Sequence, residues 1–351
     1  MKLMPESICV LRLSALGDCI NAFGLVNSIF KNYPSIKVRF VIDKRFASLF
    51  INDKGEQIVP MTCVDIKNKG LFKSILDLKH ALKNDRFEML FNLQTSLKAS
   101  LLSLGIKAKF KYGYDRQRRR EGQGLFINKA VKSPSNPHVL AGFMAFAHQA
   151  GLENLTPEWN YKLTDNELNQ ALALLPKSNK IFAISPVSAK AEKNWTSEGY
   201  TNLAKHAIEN GFEVILLGSN NPSEIALCHK IEQAVDNTKL TNLCGKTSLR
   251  VLAAIISKVS LVLSPDSAAM HLASSLKIPV IGLFAIHDPN RVGAFNYRDL
   301  EVSVYQECAQ KELNGQAPSW RYRVKDKTAM QNILVKDVIQ AFDKVVEKFK
   351  L

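Results

Sequence analysis

The groups best placed for chemistry in this 351-residue chain sit at the ends of strands. The segment Leu263-Ser264-Pro265-Asp266-Ser267-Ala268-Ala269-Met270-His271-Leu272-Ala273 reads as a buried strand, a tight polar turn and a helix of small residues. A second buried strand, 278–284, follows at once. Ser267, Ala268 and Ala269 leave the first turn of that helix nearly bare. Such a helix end offers unpaired N–H groups and a positive dipole to an anion. Asp266 is then a carboxylate beside a phosphate, where a sugar hydroxyl could donate to it, and the combination points to a nucleotide-sugar. Asp18 follows the first strand at the start of a helix, and Lys193 lies in the loop after the strand 180–187.

The elements that must carry these groups alternate. Strands are expected at 8–13, 38–42, 87–93 and 110–114, and helices at 19–33, 71–82, 96–104 and 138–152. A polar stretch with Pro157 reads as a linker, and the alternation restarts. Strands follow at 180–187, 213–217, 260–263 and 279–284, with helices at 196–210, 223–235, 249–257 and 337–349. Alternation of this kind implies parallel sheets with helices on both faces. The expected fold class is α/β, with two doubly wound domains and a cleft between them. Ligands in such sheets sit outside the carboxyl ends of the strands. The boundaries are set at 1–160 and 161–330, with 331–351 as a closing helix that packs back on the first domain.

Composition narrows the class. The chain is 46% hydrophobic and 23% charged, as in a soluble globular protein, and is long for a single core. No apolar run is long enough to span a bilayer. The N-terminus enters a strand rather than a signal sequence, so a cytoplasmic location is expected. The six cysteines are scattered without a CxxC pair, and no cluster has metal-ligand spacing. A formal net charge of +15 calls for an anionic partner: nucleic acid, an anionic membrane surface or a phosphorylated substrate. A nucleic-acid binder would want aromatic platforms or a known module, and Tyr112 and Tyr114 do not make one.

Four places together resemble a known family. These are Arg12-Leu13-Ser14-Ala15-Leu16-Gly17-Asp18; Lys193-Asn194-Trp195; Ser264-Pro265-Asp266-Ser267 with His271-Leu272-Ala273; and the tail Trp320-Arg321-Tyr322-Arg323-Val324-Lys325-Asp326. Over nearly its whole length the chain resembles the ADP-heptose:lipopolysaccharide heptosyltransferases of glycosyltransferase family 9, which have the GT-B fold. It looks most like the branch that adds the first heptose to phosphorylated Kdo. The resemblance implies an inverting enzyme with ADP-heptose as donor and a Kdo–lipid A type acceptor. It also implies action at the cytoplasmic face of the inner membrane, with domain closure excluding water. No tightly bound cofactor or divalent metal is implied.

The resemblance assigns roles. Inverting transfer needs a base for the acceptor hydroxyl, and Asp18 is that base by carry-over; the residues alone leave capping of the helix equally open. Lys193 would stabilise the departing diphosphate, against the alternative of an exposed loop lysine. Ser188 would offer a phosphate hydroxyl. Asp266, with the N–H groups of Ser267 and Ala268, would hold donor sugar and diphosphate, and His271 would orient. Relatives often carry a ribose-binding Glu after the strand 213–217; here Asn220 or Glu224 would serve. In the acceptor domain Ser14 and Gly17 lie beside Asp18. Arg116, Arg118, Arg119 and Arg120 would meet acceptor phosphate and carboxylate groups and the membrane behind them, or form a solvated loop. Other readings keep the fold with a different nucleotide sugar or a second-heptose acceptor, or turn to a basic nucleic-acid binder or a two-domain solute-binding protein.

Overall fold

The computed structural model describes residues 4–351. The chain divides into two compact units, one ending at Lys162 and the other Leu163–Leu351. In the first, β1 (Ser7–Leu11), β2 (Lys37–Asp43), β3 (Met61–Val64), β4 (Phe87–Asn92), β5 (Ala108–Tyr114) and β6 (Lys129–Val131) form one sheet in the order β3-β2-β1-β4-β5-β6. Every pairing in it is parallel. β1 is buried at all five positions, as a central parallel strand covered on both faces must be.

The second unit repeats the plan. Its strands are β7 (Ile181–Ile184), β8 (Glu213–Leu216), β9 (Leu240–Asn242), β10 (Leu261–Pro265), β11 (Val280–Phe284) and β12 (Val302–Ser303). They lie in the order β12-β11-β10-β7-β8-β9, again all parallel. Near the end of the first unit, Trp159 packs back on its first helix. Its Nε1 donates to the Ile20 carbonyl at 2.8 Å, and its ring lies where a side chain on Gly24 would come within 2.6 Å.

Two features differ from expectation. The closing helix, Val335–Phe349, is part of the second unit and packs on helix Ser197–Glu209. Val338, Phe342 and Val345 enter the second unit's core, where Phe342 meets Phe182 and Phe212 edge-on. A further helix, Asp165–Leu174, opens the second unit with a capping box between Thr164 and Glu167. Glu167 also holds Arg250 through two hydrogen bonds in the core, one from Nε at 2.7 Å.

Candidate active site

In each unit the strand order reverses between two central strands, β1 and β4 in the first, β7 and β10 in the second. Ligands of doubly wound sheets bind at the carboxyl ends of such strands. Asp18, Lys193 and Asp266 follow three of these strands, β1, β7 and β10.

In the second unit, β7 runs into the loop 185–194, which ends in the turn Ala191–Lys193. The loop is built rather than loose. The Ser188 N–H donates to Asn194 Oδ1 at 2.8 Å and Ser188 Oγ donates to the Lys190 carbonyl at 3.0 Å. Arg323 Nη2 donates to Glu192 Oε1 at 2.5 Å. Trp195, buried, donates to the Ile333 carbonyl at 2.9 Å. These contacts present Lys193, whose Nζ donates to the Asp266 carbonyl at 2.6 Å and to Asp266 Oδ2 at 3.0 Å. Asp266 follows β10. The same Oδ2 accepts from Nδ1 of His287 at 2.7 Å, and His287 follows β11. One carboxylate oxygen thus holds two nitrogen donors from two other strand ends.

Both partners of the Lys193–Asp266 pair are 13% exposed at the side chain, so water screens it little. Burial works to raise the Asp266 pKa. The His287 hydrogen bond and the charges of Lys193, His287 and His271 outweigh it and hold the carboxyl well below the usual range. Asp266 is therefore a fixed anion that orients two donors.

Helix Ala268–Ser275 begins at once. Ser267 caps it, accepting from the Ala269 N–H at 3.2 Å, and exchanges a hydrogen bond with Ser264 Oγ at 2.7 Å. Ala268 opens its first turn, and His271 is buried within the helix. At the end of β8, Glu224 Oε2 accepts from the Ser219 N–H at 2.7 Å, while Asn220 points to solvent in the same turn. Glu224 is thus anchored at the mouth of the sheet; Asn220 is not held there by any side-chain bond.

In the first unit Asp18 lies in the first turn of helix Leu16–Asn32, whose N-cap is Ala15. Asp18 therefore does not cap it. Arg12 pairs with Asp18 Oδ2 through Nη2, and its Nη1 donates to the Leu93 carbonyl at 2.7 Å. The Asp18 side chain is one-third exposed, against 13% for Arg12. Gln94, after β4, accepts from the N–H of Leu13 at 2.9 Å and of Ser14 at 3.3 Å. Its Nε2 donates to Ser14 Oγ at 3.4 Å. Gly17 is buried in the same first turn.

The arginine run divides. Arg116, Arg119 and Arg120 line a cavity of about 560 Å³ with Glu121, Gly122, Gln123, Gly124 and Leu125. Gln123, fully buried, donates to the carbonyls of Asn92 and Gln94, each at 3.1 Å, and so ties this cavity to the strand end beside Asp18. Arg119 lies where a side chain on Gly124 would come within 2.6 Å. Arg118 does not belong with them. It is buried, donates to the Val131 carbonyl at 2.7 Å and to Asp115, and stacks over Tyr114. Its guanidinium is used in packing the loop, which corrects its expected place among acceptor-facing arginines.

His287 and Gln94 were not singled out by sequence, and Arg12 entered only as the first residue of the Arg12–Asp18 motif, without a role. His287-Asp288-Pro289 follows a buried strand just as Asp266 does, so the same strand-then-polar-turn rule could have found it. Gln94 carried no such signal beyond its place after β4. Among the described residues no group of His, Cys, Asp or Glu could hold a metal ion.

Two parallel six-stranded sheets, each with helices around it and polar groups at its strand ends, give the chain the GT-B fold. The match extends over whole chains. The structure aligns with a family 9 glycosyl transferase from Veillonella parvula over 99% of both chains at TM-score 0.78 and 18% identity. It aligns with the E. coli heptosyltransferase WaaC, solved with ADP, over 97% and 99% at TM-score 0.71 and 18% identity. In sequence it is 41% identical to the lipopolysaccharide core heptosyltransferase OpsX of Haemophilus influenzae over 97% of each. Residues 75–323 match the model of glycosyltransferase family 9 (heptosyltransferase). The chain belongs to that family and is a glycosyltransferase.

Proposed function

We propose that this enzyme transfers heptose, with inversion, from ADP-heptose to a phosphorylated Kdo–lipid A type acceptor in assembly of the lipopolysaccharide inner core. The second unit binds the donor. Lys193 and His287, oriented by Asp266, face the diphosphate, together with the N–H groups at Ser267 and Ala268. Asp266 meets a sugar hydroxyl, and Glu224 meets the ribose. The first unit binds the acceptor through Arg116, Arg119 and Arg120, whose forked donors suit phosphate and carboxylate.

Asp18 takes the proton from the acceptor hydroxyl as its oxygen attacks the anomeric carbon. The bond from that carbon to the diphosphate breaks, and ADP departs with the electron pair. Arg12 holds Asp18 without competing for the proton, because a guanidinium stays protonated throughout the working pH range. Lys193 stabilises the charge that grows on the leaving group, where a preorganised cation is most effective. The chemistry needs no metal when a lysine and a helix N-terminus meet the diphosphate.

The observation that carries this reading is the Lys193–Asp266–His287 cluster at the ends of β7, β10 and β11. Calorimetric titration with ADP, UDP and GDP at one salt concentration tests it. Selective ADP binding that is weakened by Lys193→Ala is expected. Preference for UDP or GDP would move the donor, and an unaltered Lys193→Ala would remove the cluster from the diphosphate. The relative OpsX, a lipopolysaccharide core heptosyltransferase, supports the acceptor class. Action at the cytoplasmic face of the membrane belongs to the same proposal; no helix among the described residues is long and apolar enough to cross a membrane.

A further inference from the structure

The first unit presents a face that the transfer chemistry does not use. Helix Leu71–Ala81 buries Ser74 and Leu78 and turns Phe72 and Leu76, one turn apart, to solvent. Phe72 is 76% exposed. Lys69, Lys73, Lys79 and Lys83 are exposed on and beside this helix. The helix packs on Leu97–Leu102 and the turn Ser103–Gly105, which expose Leu97 and Leu104 next to Lys98. The Leu97 N–H donates to Glu121 Oε2 at 2.8 Å, tying the arginine-rich loop to this helix. In that loop Leu125 is 88% exposed.

Single exposed apolar residues need no explanation, but a group of them interleaved with lysines does. A protein interface would deplete charge at its apolar centre. A second copy of the same face would set lysines against lysines. An anionic bilayer satisfies both halves: apolar tips enter the headgroup–acyl boundary, and ammonium groups meet lipid phosphates. The one acid on helix Leu71–Ala81, Asp77, is paired with Lys69 at 2.6 Å and so adds little repulsion.

We infer that the first unit docks on an anionic lipid bilayer through Phe72, Leu76, Leu97, Leu104 and the surrounding lysines. The inference deepens the reading of this unit as the acceptor unit and rests on it only for its purpose. A lipid-borne acceptor would bring its phosphorylated sugar to the arginine cavity beside a docked face. The docking itself does not depend on which sugar is transferred.

The test is flotation of the full chain with phosphatidylcholine vesicles, with and without about 30% phosphatidylglycerol, at low and high salt. The wild type should float with the anionic vesicles at low salt and be released by high salt. Phe72→Ser with Leu76→Ser should reduce binding about ten-fold or more, and Lys73→Glu with Lys79→Glu should do the same. All four sites are exposed, so folding and ADP affinity should be unchanged; ADP titration checks both. A wild type that ignores anionic vesicles would overturn the proposal. So would apolar variants that float as well as the wild type, or variants that alter only the oligomeric mass in light scattering. Lipid docking without heptose transfer would leave this inference standing and remove the transfer reading.

Discussion

Asp18 and Asp266 lie at strand ends on either side of the point where each sheet's order reverses, Asp18 after β1, the first strand of its unit, and Asp266 after β10, the fourth strand of its own, and they are held differently. Asp266 is mostly buried, and one of its oxygens binds Lys193 and His287 together. Among the described residues Asp18 pairs with Arg12 alone, and it is one-third exposed. A carboxylate gripped by two donors and held far below its usual pKa is a poor base and a good anchor. One with a single guanidinium partner and access to solvent can still meet a substrate hydroxyl. Under the proposed mechanism Asp266 serves as a fixed anion and Asp18 as the proton acceptor. The difference comes from where the partners originate: Lys193 after β7 and His287 after β11 converge on Asp266 from both neighbouring strands, whereas Asp18 meets only Arg12 from its own strand end, among the described residues.

Substitution at each carboxylate should expose the difference most strongly. Asp18→Asn keeps the shape and removes the base, so turnover should fall about a thousand-fold with ADP affinity nearly unchanged, within the range general-base removal allows. Asp266→Asn leaves two buried nitrogens without their anion. It should destabilise the second unit by about 3 kcal/mol, the order expected for breaking a buried pair, and weaken ADP binding. Thermal melts and titrations separate the two outcomes; equal effects on both readouts would erase the comparison.

Acid sharpens it further. The folded Asp266 carboxyl lies well below its unfolded value, so its stabilising contribution is complete above about pH 4–5. That contribution drains away as pH falls toward the folded value. Asp266→Asn should flatten the fall in melting temperature between about pH 5 and pH 2. Parallel acid curves for the two proteins would mean that the cluster is not the fixed anion described.

The arginine loop provides a smaller test of the same kind. Arg118→Ala, which empties a buried site bonded to Val131 and Asp115, should cost about 2 kcal/mol of stability. Arg120→Ala, at the cavity rim, should stay within about 0.5 kcal/mol in stability and raise the acceptor KM instead. Reversal of that pattern would exchange their roles. Glu224→Gln should have the smallest effect, a rise in donor KM of a few-fold with kcat kept, on the scale of one weakened hydrogen bond.

Much of this was legible in the chain because long elements leave periodic patterns. Helix 19–33 was expected where Leu16–Asn32 forms, and the strand–turn–helix at Leu263–Ala273 was read directly. Edge strands β3, β6, β9 and β12, of two to four residues, were not, since a run that short carries no period. Helix Asp165–Leu174 had a readable start in Thr164-Asp165-Asn166-Glu167, but its weak apolar face hid the body. The family resemblance named Asp18, Lys193 and Asp266 without showing that Lys193 and Asp266 bind each other or that His287 joins them. Such pairing depends on which strands lie side by side, and β11 beside β10 is a tertiary fact. Arg118 was misplaced for a similar reason. A run of arginines reads as one surface, whereas the turn after Asp115 sends one of them inward.

The most direct measurement is to determine, for Asp18→Asn and Asp266→Asn side by side, the ADP dissociation constant and the turnover with ADP-heptose and a Kdo–lipid A acceptor. Asp18→Asn should bind ADP like the wild type with turnover reduced about a thousand-fold, while Asp266→Asn should lose ADP affinity. An Asp18→Asn enzyme that transfers heptose at the wild-type rate, or an Asp266→Asn enzyme that binds ADP normally, would contradict the division of labour between the two carboxylates.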